Sequence, residues 1–255
     1  MEYKFDPESV YNTIHNHWFE WTKHNAINNP YVVIGISGGK DSTVVAGLFV
    51  KMLGKDKVIG VSLPCNGQKD MLDVNKVFEY LGIKRLTLDI GTAFNSIINS
   101  IENCAIEVKY DTKTNLPARL RMSALYAVAQ SVNGIVLNTC NRTEDNLGYS
   151  TWGGDNFGSY AAIQDLTVTE VIALGDWLGL PYELVHKTPI DGLQPLSDEE
   201  KLGMKYADVD KVIRLNEGSD ELKRKIKAKY LASKFKLEYL HLPGPMHNFP
   251  DFVRT

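Results

Sequence analysis

The chain has 255 residues, with 28 Lys and Arg against 31 Asp and Glu, a formal net charge of −3, and 44% hydrophobic residues. These values are typical of a globular protein with a sizeable core. They exclude an intrinsically disordered chain, and the negative net charge argues against bulk binding to nucleic acid. The N-terminus is too polar for a signal peptide, and there is no long apolar run to span a membrane. The widely spaced Cys65, Cys104 and Cys140 form neither a disulfide framework nor a Cys-x-x-Cys site. We therefore expect a cytoplasmic protein.

Helices and strands are predicted to alternate along the first half of the chain. Asp6 and Pro7 carry the signal for a helix start, and the β-branched run that begins at Tyr31 is typical of a buried strand. In chain order we predict a helix over 7–25, a strand over 31–36, a helix over 41–53, a strand over 58–63, a helix over 69–81, a strand over 84–90, a helix over 117–132 and a strand over 135–138.

This alternation predicts an α/β fold. Parallel strands joined by helical crossovers form a mostly parallel sheet with helices on both faces, a Rossmann-like three-layer sandwich. We expect residues 1–255 to form one such domain. Ligands of these sheets bind at the carboxyl ends of the strands, which here are Ser37, Leu63 to Cys65 and Thr139 to Asn141.

The second half of the chain has a different character. Residues 141–160 are polar and glycine-rich, and a loop of about 20 residues inside a compact domain is typical of a lid, so a lid is predicted there. Thr167 to Glu170 has the pattern of a capping box that opens a helix to Leu178, and Ser197 to Glu200 opens another. The lysine-rich segment 221–236 is interpreted as a solvated helix face.

The loop after the first strand indicates an anion site. Its sequence is Gly35-Ile36-Ser37-Gly38-Gly39-Lys40-Asp41-Ser42. Glycines allow a phosphate to approach successive backbone N–H groups, the helix N-terminus adds its positive end, and the serine hydroxyls add donors. The Walker motif fails because Ile34 and Asp41 stand where it needs glycine and Ser or Thr, and the G-x-G-x-x-G fingerprint fails as well.

One alternative matches the same residues. Gly35 to Gly39 satisfies the G-x-S-x-G elbow of α/β-hydrolases, and the order Ser37, Asp191, His241 would permit a catalytic triad. No oxyanion segment precedes the elbow, and a hydrolase leaves Lys40 and Asp41 unexplained. The hydrolase stays a minor alternative.

The segment Ser-Gly-Gly-Lys-Asp-Ser resembles the pyrophosphate loop of the N-type ATP pyrophosphatases, which have an adenine nucleotide α-hydrolase-like fold. Within that superfamily, two further segments are similar to ammonia-dependent NAD synthetases. They are residues 115–123, with the pattern N-x-x-A-R-x-R-M, and residues 139–151, with the pattern T-x(4)-E-x(3)-G-x-x-T. The resemblance runs from about residue 7 to residue 240.

The resemblance implies an activity: amidation of deamido-NAD (nicotinic acid adenine dinucleotide) by ammonia, with ATP as co-substrate and Mg²⁺ as metal, in a homodimer. No glutaminase domain fits in addition, so free ammonia is the expected nitrogen donor. Residues 35–42 and Thr139 would bind ATP and Leu63 would lie against adenine, while Ser37, Asp41, Ser42 and Glu144 would serve catalysis. Asp41 and Glu144 would hold Mg²⁺, and the acid substrate would be bound by Arg119, Trp152, Asp155 and Ser159.

Several positions depart from the family pattern, chiefly on the side of the acid substrate. Trp152 replaces a basic residue, Ser159 an aspartate, Ile190 a hydroxyl residue and Phe235 a histidine. Two alternatives therefore stay open beside NAD synthesis. One is an adenylating amide synthetase that acts on a different acid, and the other is a nucleotide-binding protein without turnover, against which the two metal carboxylates argue.

Overall fold

The computed structural model describes residues 3–67, 71–187 and 198–238, together with Gly244, Pro250, Phe252 and Val253. Its five strands form one sheet in the order β3-β2-β1-β4-β5, in which every pair of neighbours is parallel. The strands are β1 Tyr31–Gly35, β2 Val58–Ser62, β3 Lys84–Thr87, β4 Gly134–Asn138 and β5 Tyr160–Ala161. The α/β fold with a parallel sheet is confirmed.

The helices of the described residues cover both faces of this sheet. They are α1 Pro7–His24, α2 Lys40–Leu53, α3 Met71–Leu81, α4 Gly91–Asn103, α5 Tyr110–Ser131, α6 Arg142–Leu147, α7 Val168–Trp177, α8 Tyr182–Val185, α9 Asp198–Leu202, α10 Tyr206–Leu215, α11 Asp220–Ser233 and α12 Phe235–Glu238. None of them is both long and apolar enough to cross a membrane, as far as the described residues show.

The core is divided by the sheet, because successive side chains of a strand point to opposite faces. On β1, Val32 and Ile34 pack with α1, α2, α3 and α7, whereas Val33 packs with α5 on the other face. A third apolar cluster, around Val209 and Ile226, joins α10 and α11 to the end of α6. This cluster fixes the C-terminal helices beside the carboxyl ends of the strands.

Three elements differ from the sequence-based prediction. Helix α5 begins at Tyr110, not at Pro117, which lies buried inside the helix. The strand expected over 84–90 ends at Thr87, and Ile90 precedes α4. The segment 141–160 is not one long loop, because it begins with the helix α6 and only the part after Leu147 is irregular up to β5.

Most other elements agree with the prediction within about two residues. The capping box at Thr167 is present and opens α7, with Glu170 reaching back to the Thr167 amide at 2.7 Å. The lysine-rich segment forms α11 and α12, and its side chains are exposed or half-buried except for Ile226 and Ser233, which are buried. The predicted start at Ser197 lies outside the described residues, and α9 follows it from Asp198.

Candidate active site

The loop between β1 and α2 has a backbone that requires glycine. Gly38 has φ +79°, a region that side chains rarely adopt, and a Cβ there would lie 3.0 Å from both the Asp73 Cβ and the Val74 amide nitrogen. Gly39 is the N-cap of α2, with φ −90°. The loop thus turns sharply and aims the start of α2 at the carboxyl edge of the sheet, where its backbone N–H groups suit a phosphate.

Hydroxyl groups form hydrogen bonds within this loop. The Ser37 and Ser42 hydroxyl oxygens are 3.1 Å apart, and the Gly39 amide donates to the Ser37 hydroxyl at 3.2 Å. The hydroxyls of Ser42 and Thr43 donate to the Gly39 carbonyl at 3.2 and 2.8 Å. These contacts couple the loop to the first turn of α2, so a ligand meets a preorganised set of donors.

Lys40 and Asp41 form a charged pair in the first turn of α2. The Lys40 ammonium lies 2.8 Å from Asp41 Oδ2, and the lysine side chain is only 5% exposed. Burial disfavours the ammonium, but the carboxylates of Asp41, Glu144 and Asp198 outweigh burial and raise the pKa of Lys40 above its usual value. The site therefore contains a buried, positively charged group that suits a polyphosphate.

The neighbouring strand β4 brings a second carboxylate. Asn141 caps α6 in a capping box: its side chain accepts from the Glu144 amide at 3.0 Å, and Glu144 Oε2 accepts from the Asn141 amide at 3.2 Å. The Asn141 side-chain amide also donates to Asp41 Oδ1 at 3.0 Å. Because β1 and β4 are adjacent in the sheet, their two loops meet at one point, where such folds bind their ligands.

The electrostatics of Glu144 favour a bound cation. Burial, and then the charge of Asp41, raise the pKa of Glu144 well above its usual range, while Lys40 lowers it. In the described residues no group of three or more His, Cys, Asp or Glu could hold a metal. Two carboxylate ligands completed by water and substrate phosphates are what Mg²⁺ commonly takes, so Asp41 and Glu144 fit this ion.

Buried polar contacts hold α6 in place. The Arg142 guanidinium forms an ion pair with Asp165, and both side chains are buried. The Thr143 hydroxyl donates to Asp210 Oδ1 at 2.6 Å, and it accepts from the Val168 amide at 3.0 Å. The two residues that precede Glu144 are thus tied to the rest of the domain, and this fixes the position of its carboxylate.

Leu63 and Thr139, the two predicted nucleotide-binding residues outside the loop, follow the strands β2 and β4. Leu63 follows β2 and is buried, and its Cδ1 would lie 3.9 Å from a Cβ at Gly35. The guanidinium Nε of Arg121 donates to the Leu63 carbonyl at 3.0 Å and so anchors the end of this strand. Thr139 follows β4 and is half-buried. The predicted nucleotide residues therefore all lie at the same edge of the sheet.

The predicted acid-binding residues gather around the turn after α6. The Arg119 Nε donates to the Trp152 carbonyl at 3.1 Å, and Asp155 Oδ1 accepts from the Thr151 amide at 2.6 Å. Trp152 is 48% exposed. Ser159 lies further along, where its amide extends the sheet by donating to the Val136 carbonyl at 2.8 Å. Arg119, Trp152 and Asp155 are thus brought together, and Ser159 is at the strand beside them.

Two contributions to this site are not predicted from the sequence. Asn141 is predicted only as part of a strand end, whereas its link to Asp41 and its role as the cap of α6 are not, although the pattern Asn-x-x-Glu of a capping box could have indicated the cap. Tyr206 lies against the site from α10, with the Lys40 ammonium 5.8 Å from its ring centroid. No local pattern marks Tyr206, since it reaches the site only through the tertiary fold.

The hydrolase alternative depends on partners for Ser37. In the structure, the Ser37 hydroxyl contacts the Ser42 hydroxyl and the Gly39 amide. The other two members of the proposed triad, Asp191 and His241, lie outside the described residues. The geometry of the loop itself is that of an anion site.

Comparisons with known proteins place the chain in a family. The NAD synthase family model matches residues 18–239. An NH3-dependent NAD(+) synthetase from Pyrococcus furiosus is 39% identical over 197 residues, which are 76% of this chain and 74% of the relative.

Two solved structures show the same fold. The NMN synthetase from Francisella tularensis has a TM-score of 0.83 and 31% identity, covering 96% of this chain and 100% of that one. An NH3-dependent NAD synthetase from Campylobacter jejuni has a TM-score of 0.74 and 24% identity, covering 94% and 99%, and at this identity it bears on the fold alone. The family model and the Pyrococcus relative favour a ligase over the hydrolase alternative, and they show that the chain belongs to the NAD synthase family.

Proposed function

We propose that the protein amidates deamido-NAD with ammonia, and that it consumes ATP and releases NAD, AMP and pyrophosphate. One observation carries the proposal. In a chain of the NAD synthase family, the phosphate loop of residues 35–42 and the carboxylates of Asp41 and Glu144 come together at the carboxyl ends of adjacent strands. This is the arrangement that an ATP polyphosphate with its cation needs.

The residues of the site bind and orient the nucleotide. The N–H groups of the loop and the buried Lys40 ammonium neutralise the phosphates and favour the departure of pyrophosphate. Asp41 and Glu144 would hold Mg²⁺, which supplies further charge neutralisation on the phosphates when it is bound. Catalysis by positioning and by preorganised charge requires no covalent nucleophile on the protein.

The chemistry follows from the weakness of a carboxylate as an electrophile. The carboxylate oxygen of the nicotinate attacks the α-phosphorus of ATP, and the bond to the bridging oxygen breaks, releasing pyrophosphate. Ammonia then attacks the acyl carbon of the adenylate, and AMP leaves with the former carboxylate oxygen. Arg119 and the turn around Trp152 and Asp155, which hydrogen bonds bring together, would hold the acid.

A second candidate acid is the smaller mononucleotide of nicotinate. The lid favours it, because Trp152 and Phe235 place an exposed aromatic pair where charged residues were expected to bind the dinucleotide. The Francisella relative, whose structure is similar over nearly the whole chain, is an NMN synthetase. The reaction and the ATP site are the same for both acids, so only the acid-binding half of the site differs.

Steady-state kinetics with both acids decide between these two substrates. Wild-type protein is mixed with Mg-ATP, saturating ammonia and either deamido-NAD or nicotinate mononucleotide, and kcat/KM is determined for each. We expect the higher kcat/KM with deamido-NAD. A mononucleotide preference of tenfold or more would assign the second candidate, and no AMP release with either acid would refute both. Glutamine in place of ammonia is the control for the nitrogen donor, and it should give no product.

The homodimer belongs to the same proposal. Exposed apolar side chains on α4, in the α4–α5 connection and at the start of α5 support it, since Ile106 and Tyr110 are 59% and 61% exposed and Ile97 is also exposed. We propose that these side chains belong to the interface, because apolar patches at the surface are typical of interfaces. Analytical ultracentrifugation of wild type and Ile106→Asp tests it, with a dimer expected for the wild type alone. The cytoplasmic location is likewise proposed, and the three free cysteines fit a reducing compartment.

A further inference from the structure

Tyr206 lies against the phosphate site, although no motif assigns it a role. It opens α10, and its backbone amide donates to Glu199 Oε1 at 2.8 Å. The side chain is 3% exposed, and the Lys40 ammonium stands 5.8 Å from the centre of its ring. A rigid aromatic side chain is therefore fixed between α10 and the first turn of α2.

The hydroxyl of Tyr206 has no hydrogen-bond partner in the described part of the chain, and its oxygen is buried. Burial, then the charges of Glu144 and Asp198, raise the pKa of this phenol. A buried polar group without a partner is uncommon in folded proteins, because it loses its hydrogen bonds to water. A bound ligand that accepts a hydrogen bond would satisfy it.

The neighbouring carboxylates already accept other donors. Asp41 accepts hydrogen bonds from Lys40 and from the Asn141 side chain. Asp198 accepts one from the Tyr149 hydroxyl at 3.0 Å, and Glu144 accepts one from the Asn141 backbone amide. The hydroxyl is thus a donor on a ring whose centre is 5.8 Å from the Lys40 ammonium, within electrostatic reach of Glu144 and Asp41. The ligand that fits is a hydrogen-bond acceptor rich in oxygen, which the Lys40 ammonium and Mg²⁺ would also hold.

We infer that the Tyr206 hydroxyl donates a hydrogen bond to an oxygen of the β- or γ-phosphate of ATP, and that it retains this bond to the pyrophosphate that leaves. The inference rests on the proposed function, since it takes the polyphosphate as the ligand of residues 35–42. Tyr206 is then a binding residue that α10 contributes to the site.

The test is the variant Tyr206→Phe, which removes the hydroxyl alone. Its affinity for inorganic pyrophosphate with Mg²⁺, and for AMP, is measured by titration calorimetry. Because a hydrogen bond to a charged oxygen is lost, pyrophosphate should bind about ten- to one-hundred-fold more weakly, while AMP binds as in the wild type. Thermal unfolding of the ligand-free variant should occur at the wild-type temperature or above, since no hydrogen bond between described residues is broken.

Tyr160→Phe is the matched control, because Tyr160 is as buried as Tyr206 but its hydroxyl lies 2.9 Å from His17 Nδ1 on α1. It should lower the unfolding temperature and leave pyrophosphate affinity unchanged. Three results for Tyr206→Phe would overturn the inference and leave the proposed function intact. They are a wild-type affinity for pyrophosphate, a loss of AMP affinity as large as the loss of pyrophosphate affinity, and an unfolding temperature as low as that of Tyr160→Phe. If wild-type protein binds neither ATP nor pyrophosphate, the proposed function fails, and the inference with it.

Discussion

Trp152 and Phe235 meet edge to face, with ring centroids 5.6 Å apart and ring planes at 89°. The two residues are distant in sequence, and the contact joins the turn after α6 to α12. The next residue, Lys236, donates to the carbonyls of Gly148 and Ser150 at 2.9 and 2.8 Å. Two departures from the family pattern are thus one structural unit, which ties the predicted lid to the C-terminal helices.

The first prediction concerns two departures from the family pattern in the predicted lid, Trp152 and Ser159. The double variant Trp152→Lys and Ser159→Asp restores the charges that the family pattern has at these positions. Because each charge-assisted hydrogen bond is worth about 1.5–3 kcal/mol, KM for deamido-NAD should fall by about one to two orders of magnitude. Steady-state kinetics measure the change, with Trp152→Phe as the control that keeps an aromatic ring. A double variant that is less efficient than an already efficient wild type would show that the lid has only been repacked.

The second prediction concerns the proposed metal ligands. Asp41→Asn and Glu144→Gln should both abolish turnover at saturating Mg²⁺. Their effects on stability should differ, because glutamine can still close the capping box at Asn141, whereas Asp41→Asn leaves the buried Lys40 ammonium without its partner at 2.8 Å. We expect Asp41→Asn to lower the free energy of unfolding by about 1–3 kcal/mol and Glu144→Gln to leave it nearly unchanged.

Turnover and urea unfolding of the two variants check this expectation. Wild-type rates in either variant would show that its residue is not a metal ligand. Equal losses of stability would contradict the different packing of the two carboxylates.

The sequence does not show why Asp41 and Glu144 should differ in their effect on stability. The turn Ser37 to Ser42 and the capping box at Thr167 were predictable, because short motifs determine a sharp turn and a helix start locally. The link from Asn141 to Asp41 joins residues that are 100 positions apart, and only the parallel pairing of β1 and β4 brings them together. Local patterns contain no information on such a contact.

The errors in the predicted elements have a similar origin. Pro117 was interpreted as the first residue of a helix, which is the most common position for proline in helices. In α5 it lies in the interior, where its missing N–H costs about 3 kcal/mol, and its burial offsets part of that cost. The segment 141–160 is predicted to be a loop because it is polar and glycine-rich, but its first residues form α6, since the capping residue Asn141 is of a type common both in turns and at helix starts.

The third prediction separates the two glycines of the loop. Gly38→Ala should lower the free energy of unfolding by about 1–3 kcal/mol, because φ is +79° there and the new Cβ would press on Asp73 and on the Val74 amide at 3.0 Å. Gly39→Ala is the matched control: φ is −90°, and the new Cβ would meet only the movable Ser37 hydroxyl at 3.3 Å. Urea unfolding measures both. If Gly39→Ala proves as destabilising as Gly38→Ala, the backbone argument is wrong.

The fourth prediction is a dependence of stability on pH that Asp210 causes. Burial raises the pKa of Asp210 from 3.8 to about 6, although the Thr143 and Thr169 hydrogen bonds oppose the shift. Between these two values the folded protein holds a proton that the unfolded chain releases. Protonated Asp210 therefore favours the folded state at low pH. As pH rises from about 4 to about 6, the free energy of unfolding falls by about 3 kcal/mol through this residue.

Urea unfolding between pH 4 and pH 7 gives the free energy of unfolding at each pH. The contribution of Asp210 is the difference between wild type and Asp210→Asn in the slope of this free energy against pH. The variant should lose less stability than the wild type as pH rises through this range. Asp208→Asn, on the exposed side of the same helix, is the control for the loss of a negative charge. Parallel curves for wild type and Asp210→Asn would refute the assignment.

The most direct test of the proposed reaction follows a single oxygen atom. Deamido-NAD labelled with ¹⁸O in its nicotinate carboxylate is incubated with the protein, Mg-ATP and ammonia, and the products are examined by mass spectrometry and ³¹P NMR. If the phosphate loop directs an attack on the α-phosphorus, AMP and pyrophosphate form in equal amounts and one ¹⁸O appears in the phosphate of AMP. Formation of ADP and phosphate, or AMP without the label, would contradict the acyl-adenylate mechanism.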